Sequence, residues 1–322
     1  MSQVRMAVVG CGSFGQNHLR VISQNAGARL VAAADQDESK AEAAAKEYGC
    51  KALVDWRKLP GLADAAVVAT PTVTHGEIAI GLLEAGIEVL VEKPMAHRRE
   101  DAVAMRDTAN RHGRILQVGH LERFNPAVLA LQSVLSLPLF FEVHRMSLFQ
   151  PRSLDVDVVL DLMIHDIDLV LSMVRRMPSE VRAAGIRILS AKVDIANVRL
   201  AFPGGCVANL TASRVSTEKV RKLRLFQPHQ YISIDYSRQD GVAITVGENQ
   251  KIGFQALSAE KREPLASQLD SFLDCVITRK TAMVGGQEGL AALEVCLDIL
   301  AKIEEHGAVV SQTLREYQGN GG

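Results

Sequence analysis

Three polar residues in a mostly apolar stretch, DVDVVLDLMIHDIDLVL at residues 155–171, are the first candidates for chemistry. Asp161, His165 and Asp168 stand at positions i, i+4 and i+7, so on a helix they would share one face. The leucines, isoleucines and valines around them predict that this helix is largely buried. Burying such a polar stripe costs free energy unless its groups pair with one another or have a function.

Three interpretations of this stripe compete. One is a core histidine bonded to an aspartate. Another is a divalent metal site, which ligand counting disfavours because no HxxxH pair and no second nearby histidine accompany His165. The third is an acid/base histidine, which takes the proton of a secondary alcohol while hydride leaves the carbon for a nicotinamide. The stripe alone does not separate the first interpretation from the third.

Lys93 is a further candidate, in the segment VLVEKPMAH at residues 89–97. A lysine after an apolar strand is most often exposed to solvent. In an open α/β sheet, however, ligands bind at the carboxyl ends of the strands. An ammonium there can stabilise a developing alkoxide, and Pro94 favours an extended conformation at Lys93.

The glycine-rich segment GCGSFG at residues 10–15 follows a short apolar run and opens a helical pattern. Glycines there permit a tight turn and a close approach of backbone amides to a pyrophosphate, which the helix N-terminus favours. In this context GxGxxG predicts a dinucleotide site, and the alternative is an ordinary strand-to-helix turn. The predicted contacts are Gly10, Gly12, Ser13, Phe14 and Gly15.

Asp35 lies 20 residues after Gly15, at the end of the second apolar run. A carboxylate there can bond the adenosine ribose hydroxyls and would repel a 2′-phosphate. No arginine follows it at positions 36 and 37, so the sequence favours NAD over NADP. The loops after the next two strands add Thr70, Pro71, His75, Glu92 and Lys93 as predicted coenzyme contacts.

The first third of the chain alternates short apolar runs with helical patterns, which predicts βαβ units and a doubly wound parallel sheet. Continuous apolar runs are typical of strands that are covered on both faces. The predicted strands are Val4–Val9, Leu30–Ala34, Ala65–Ala69, Glu88–Val91 and Ile115–Val118.

After about residue 120 the pattern changes to strands separated by turns, which predicts an antiparallel sheet of hairpins and meanders. These strands are Phe140–Ser147, Val181–Leu189, Val193–Phe202, Cys206–Ser213, Lys219–Gln227, Tyr231–Tyr236 and Val242–Val246, followed by helices Leu265–Thr278 and Gly286–His306. We therefore expect an NAD-binding domain at residues 1–122 and a substrate-binding and oligomerisation domain at residues 123–322.

The composition is that of a globular protein with no bulk attraction to polyanions. The formal net charge is −1, and 48% of the 322 residues are hydrophobic, so neither nucleic acid nor an anionic membrane is an expected partner. No apolar run approaches the roughly 20 residues that span a bilayer. Five scattered cysteines without CxxC spacing predict reduced thiols and a cytoplasmic location.

Three segments in this order resemble the glucose–fructose oxidoreductase, inositol dehydrogenase and MocA family: VVGCGSFG, ATPTVTHGEIAIGLLEAGIEVLVEKPMA and DLMIHDIDL. The resemblance implies a Rossmann domain and a C-terminal α/β domain whose open, mostly antiparallel sheet forms dimer or tetramer contacts. It also implies that Lys93, Asp161 and His165 are the catalytic residues, with Lys93 touching the substrate hydroxyl and the nicotinamide. Which of Lys93 and His165 is the base stays open.

Two segments resemble the UDP-N-acetylglucosamine 3-dehydrogenases within this family, VGHLERFNPAV at residues 118–128 and DVDVVLDLMIHDID at residues 155–168. This resemblance implies oxidation of a nucleotide sugar to its 3-keto form. A diphosphate needs cations, and the substrate-binding candidates are Arg123, Arg145, Arg152 and Arg214, with His120 and Asn125 for the sugar. Inositol or a free sugar is the rival substrate.

A non-catalytic NAD-binding sensor or scaffold on the same fold is the rival from another class. Such a protein could lose Lys93 or His165 without consequence. Because both residues and Asp161 are present, the sequence favours an enzyme.

Overall fold

The structure, a computed structural model, describes residues 3–149, 156–247, 250–258 and 260–319. The chain divides into two compact units. The first consists of Met1–Phe124 and Arg262–Leu290, and the second of Asn125–Lys261 and Ala291–Gly322. The first unit thus extends two residues beyond the predicted boundary at residue 122. It also includes a late segment of the chain, Arg262–Leu290.

The first unit contains a six-stranded parallel sheet in the order β3-β2-β1-β4-β5-β6, which is the doubly wound Rossmann order. Its strands are β1 (Val4–Val9), β2 (Ala28–Ala34), β3 (Lys51–Leu53), β4 (Ala65–Val68), β5 (Glu88–Val91) and β6 (Leu116–Val118). The helices between them are α1 (Ser13–Ser23), α2 (Glu38–Tyr48), α3 (His75–Glu84) and α4 (Arg99–His112). The predicted fold class is confirmed here, although β3 was not predicted because its three residues form no apolar run.

Arginines from two parts of the first unit meet on one buried carboxylate. Glu88, at the start of β5, is 4% exposed and accepts hydrogen bonds from Arg114 Nη1 at 3.2 Å and Arg279 Nη1 at 2.6 Å. Arg279 also donates from Nη2 to the carbonyl of Gly113 at 2.6 Å. These bonds join the late segment of the chain to the amino edge of the sheet, which a linear reading of the sequence does not anticipate.

The second unit is built on an eight-stranded sheet in the order β14-β13-β12-β11-β7-β10-β9-β8. Its elements are α5 (Pro126–Gln132), β7 (Phe140–Leu148), a π-helical turn (Val159–Met163), α6 (Ile164–Val174), β8 (Glu180–Ile186), β9 (Ile195–Ala201), β10 (Val207–Ser216), β11 (Val220–Gln227), β12 (Gln230–Asp235), β13 (Asp240–Val246) and β14 (Ile252–Ser258). The late segment of the first unit contains α7 (Pro264–Thr278) and the start of α8 (Gly286–Gly319), and the rest of α8 belongs to the second unit.

The sheet is mostly antiparallel, as predicted, but it is not a simple series of hairpins. β7 lies between β10 and β11 and pairs with β10 in parallel. Two parallel strands need a long crossover connection. Between β7 and β10 the chain forms α6 and then the antiparallel strands β8 and β9. Alternate residues of β7, such as Phe141 and Val143, join the core together with Ile164 and Ile167 of α6.

No described helix in either unit is both long enough and apolar enough to cross a membrane.

Asp194 stabilises the turn before β9. Its fully buried carboxylate accepts hydrogen bonds from the backbone N–H groups of Ile188, Leu189 and Ser190 at 2.7 to 3.0 Å and from the Ser190 hydroxyl at 2.7 Å. Burial opposes ionisation, but these four donors outweigh it and lower the pKa of Asp194 to about 2. The ionised form is therefore favoured by folding.

We expect Asp194→Asn to lower the free energy of unfolding by roughly 2 kcal/mol at pH 7. Because the pKa is lowered on folding, this difference should persist above about pH 4 and shrink as the pH falls toward 2. Denaturant unfolding of both proteins at several pH values measures it. Asp240→Asn, at a carboxylate that is 45% exposed and paired with Arg238, is the control and should change stability by less than about 0.5 kcal/mol.

Candidate active site

The three glycines of the GCGSFG loop have different surroundings. A Cβ on Gly15 would lie 1.8 Å from the carbonyl oxygen of Gly10, and one on Gly10, whose φ is +95°, would lie 2.6 Å from the carbonyl oxygen of Ala69. A Cβ on Gly12 would meet nothing within 4 Å. Gly10 and Gly15 are therefore required by internal packing, whereas Gly12 leaves open space in front of the backbone.

The start of α1 suits an anionic ligand. Gly12 is its N-cap, no side chain caps the helix, and its first turn contains no acidic residue. The backbone N–H groups at such an end and the helix dipole favour a phosphate. Ser13 and Phe14 follow on the exposed surface of this turn. This cradle fits the pyrophosphate of a dinucleotide.

Asp35 lies next to the glycine loop. One carboxylate oxygen accepts from the backbone N–H of Cys11 at 2.8 Å, and the other accepts from the N–H of Asp37 at 2.9 Å. Each oxygen retains a second lone pair, and the side chain is only half-buried. The carboxylate is thereby held at the carboxyl end of β2, where it fits the ribose hydroxyls of a coenzyme that lacks a 2′-phosphate.

His75 is held between two backbone carbonyls. The residue is 1% exposed, and its ring nitrogens face two backbone carbonyls, Nδ1 that of Pro94 at 3.0 Å and Nε2 that of Thr70 at 2.9 Å. Burial lowers the pKa of His75, and the two carbonyls act in the opposite direction. Its side chain thus links two loops, and its contact with the coenzyme stays a prediction. Thr70 and Pro71 themselves are at least partly exposed.

Glu92 is also engaged inside the first unit. It is 6% exposed, and its Oε1 lies 2.7 Å from Nε2 of His18, a residue that is 1% exposed. Its Oε2 accepts from the backbone N–H of Lys93 at 3.3 Å. Lys93 is half-buried after β5 and precedes a cis peptide bond to Pro94. Sequence reasoning missed His18, because nothing near it in the chain identifies its partner.

The polar stripe of the second unit begins in the π-helical turn. Asp161 lies in this turn and is half-buried, whereas His165 and Asp168 lie in α6 and are 8% and 1% exposed. Short π-helical turns inside α-helices are frequent at functional sites. Asp161 and His165 are the two members of the stripe that keep some access to solvent.

Two arginines predicted to bind a diphosphate make contacts inside the second unit. Arg145 donates from Nε and Nη2 to the two oxygens of Asp166 at 2.7 and 2.8 Å, with both side chains almost fully buried. Its guanidinium also lies 5.4 Å from the centre of the Tyr236 ring. Such a bidentate pair is strong and geometrically specific. The charge of Arg145 is thus neutralised within the second unit.

Arg214 donates to the carbonyls of Val156 and Val193, and its Nε lies 3.7 Å from Oδ1 of Asp194. It therefore ties strand β10 to the segment that leads into the π-helical turn. Arg152 lies outside the described residues.

The three remaining substrate candidates are buried and lie close together in the sequence. His120 and Arg123, in the first unit, are 1% and 8% exposed. Asn125, the first residue of the second unit, caps α5 by accepting from the N–H of Ala127 at 3.1 Å. Its amide also donates to the carbonyl of Tyr236 at 3.0 Å. Asn125 therefore has a structural role whether or not it binds a sugar.

The sequence matches two family models, one described as an oxidoreductase family with an NAD-binding Rossmann fold over residues 4–120, the other as the GFO/IDH/MocA C-terminal domain over residues 141–230. A UDP-N-acetylglucosamine 3-dehydrogenase of Acidithiobacillus ferrooxidans is 33% identical over 94% of this chain and 98% of that protein. An inositol 2-dehydrogenase of Rhizobium meliloti is 26% identical over 90% of this chain and 94% of that protein.

Comparison of the structure with solved structures agrees with the sequence comparison. The solved structure of the Acidithiobacillus ferrooxidans UDP-N-acetylglucosamine 3-dehydrogenase superposes with a TM-score of 0.90 and 31% identity, covering 95% of this chain and 99% of that one. The predicted family and NAD as coenzyme are thereby confirmed. The chain belongs to the glucose–fructose oxidoreductase, inositol dehydrogenase and MocA family of NAD-binding dehydrogenases.

Proposed function

We propose that this protein oxidises the 3-hydroxyl of UDP-N-acetylglucosamine to a ketone, with NAD as the oxidant. The observation that carries this proposal is the relative named for that reaction, which matches almost the full length of both chains at 33% identity. The relative named inositol 2-dehydrogenase matches at 26%. The residues of the glycine loop and Asp35 would hold the coenzyme, which accepts the hydride when bound.

The proposed roles follow from the chemistry of the side chains. The ammonium of Lys93 stabilises the negative charge that develops on the substrate oxygen. His165 accepts the proton of the alcohol, because an imidazole has a pKa suited to proton transfer near pH 7. Asp161 orients the substrate or its neighbouring groups. Lys93 and Asp161 are half-buried, and His165 is 8% exposed.

A diphosphate in the substrate requires cations. Our candidates are Arg123 and Arg152, and Arg145 and Arg214 are further candidates that also make structural contacts inside the second unit. His120 remains our candidate for the sugar.

We also propose a cytoplasmic homodimer or homotetramer, assembled through the exposed face of the eight-stranded sheet.

The substrate is tested by incubating the purified protein with NAD and, separately, UDP-N-acetylglucosamine, UDP-glucose, myo-inositol and free hexoses. Formation of reduced nicotinamide is followed by its absorbance. We expect kcat/KM for UDP-N-acetylglucosamine to exceed that for myo-inositol by about 100-fold or more. Inositol lacks the nucleotide and the acetamido group, so the protein groups that bind them would be left unpaired. The Lys93→Met protein is the background control.

Turnover of myo-inositol alone would favour the second candidate, an inositol or free-sugar dehydrogenase, for which the 26% identical relative is the supporting observation. Binding of NAD without turnover of any compound would favour a non-catalytic sensor or scaffold.

A further inference from the structure

The backbone around Lys93 is held by two buried histidines that no proposed catalytic role uses. We propose that His18 and His75 are positioning residues for Lys93. His18 acts through the carboxylate of Glu92, and His75 acts through the carbonyl of Pro94. The proposal rests on the proposed function only in its claim that Lys93 takes part in the reaction.

The contact between His18 and Glu92 fixes the residue before Lys93. The two side chains meet at 2.7 Å with 1% and 8% side-chain exposure, so water does not compete for the bond. The other ring nitrogen of His18, Nδ1, is buried and has no hydrogen-bond partner among the described residues. The pairing with Glu92 is therefore the polar contact that accounts for a histidine at this position of α1.

The carboxylate of Glu92 is in turn fitted closely to its surroundings. A Cβ on Gly119 would lie 2.9 Å from Oε2 and 3.0 Å from Oε1 of Glu92, so the absence of a side chain there leaves the space that the carboxylate fills. Oε2 accepts from the N–H of Lys93, and the backbone N–H of Glu92 donates to the carbonyl of Val68 at 2.9 Å. Side chain and backbone together hold the start of the segment.

His75 holds the residue after Lys93. Its Nδ1 lies 3.0 Å from the carbonyl of Pro94, and its Nε2 lies 2.9 Å from the carbonyl of Thr70. A neutral ring carries one N–H and donates to one of the two carbonyls at a time. Because His75 begins α3, it connects the segment of Lys93 to the loop after β4 and to that helix. Residues on both sides of Lys93 are thus anchored.

Misplacing Lys93 should slow the chemical step more than it weakens the binding of NAD. A misplacement of a catalytic group by about 1 Å can lower a rate about 100-fold. We expect His18→Leu, which removes the donor, to lower kcat by about 10- to 100-fold while the KM for NAD changes less than about twofold. His18→Gln keeps an amide donor and should restore most of kcat. In the same way His75→Asn, which can still donate to Pro94, should retain more activity than His75→Leu.

A matched control separates positioning from loss of stability. Leu19 neighbours His18 in α1 and is fully buried, but it is apolar and cannot bond Glu92. Leu19→Ala should lower the midpoint of denaturant unfolding and leave kcat of the folded enzyme nearly unchanged. If Leu19→Ala lowers kcat as much as His18→Leu does, the effect is general loosening of α1 and the proposal is wrong.

A second readout needs no substrate. Trace acylation of the full-length protein with acetic anhydride, quantified by mass spectrometry, gives the reactivity of the Lys93 amine relative to the exposed Lys40. We expect His18→Leu to change this ratio by about threefold or more, and His18→Gln and Leu19→Ala to leave it near the wild-type value. An unchanged ratio in both His18→Leu and His75→Leu would overturn the proposal. A changed ratio in a protein that oxidises no tested sugar would instead contradict the proposed function and leave the positioning intact.

Discussion

Replacing Lys93 with methionine should lower kcat for oxidation of the sugar by about 100- to 1000-fold, with little change in the affinity for NAD. The side chain keeps a similar length but loses the ammonium that we propose stabilises the alkoxide. That charge develops only in the reaction, so its loss should reduce kcat more than it raises KM. Steady-state kinetics with the accepted substrate and a direct measurement of NADH affinity check both parts.

Lys280→Met, at a lysine just after α7 whose side chain is 70% exposed, is the control and should leave both constants unchanged. The same kinetics on His165→Asn and on the Lys93→Met/His165→Asn double variant test whether the two residues act together. If the two residues act as one unit, the double variant should be little slower than the slower single variant. A Lys93→Met protein with wild-type kcat would remove Lys93 from the mechanism.

The second large effect is expected at Gly15. A Cβ there would lie 1.8 Å from the carbonyl oxygen of Gly10, a backbone atom that cannot move without distorting the loop. We expect Gly15→Ala to destabilise the protein by about 3 kcal/mol or more, despite the better helix propensity of alanine. Gly12→Ala meets no protein atom within 4 Å and should change stability by less than about 0.5 kcal/mol.

The two variants should rank in the opposite order when NADH binding by the folded proteins is compared. The space in front of Gly12 is where we expect the pyrophosphate to approach, so Gly12→Ala should weaken NADH binding by about tenfold or more. Thermal unfolding and NADH titration measure the two quantities. Gly307→Ala in α8 is the control, because a Cβ there would also meet nothing within 4 Å and the residue lies far along the chain from the loop. It should leave NADH binding unchanged. Unimpaired NADH binding by Gly12→Ala would contradict our placement of the coenzyme.

The sequence by itself determined most of the elements, though not β3, α5 and β14, and the chemistry-bearing motifs. Continuous apolar runs such as Ala65–Val68 identified the parallel strands, because a strand covered on both faces has no polar alternation. The GCGSFG loop was found because it needs no partner from elsewhere: a strand, a tight turn and a helix start are adjacent in the chain. The change to closely spaced strands after residue 120 predicted the mostly antiparallel sheet.

Only the tertiary structure decided which polar groups are used for bracing. His18 and Glu92 are 74 residues apart in the chain, and Arg145 and Asp166 are 21 apart. Nothing in either local sequence names the partner, since a hydrogen bond depends on distances that exist only after folding. The same reason applies to β7, whose place beside β10 depends on a crossover and not on its own residues. Residue type and spacing therefore indicate what a side chain can do, whereas packing between distant segments decides which side chains remain available to do it.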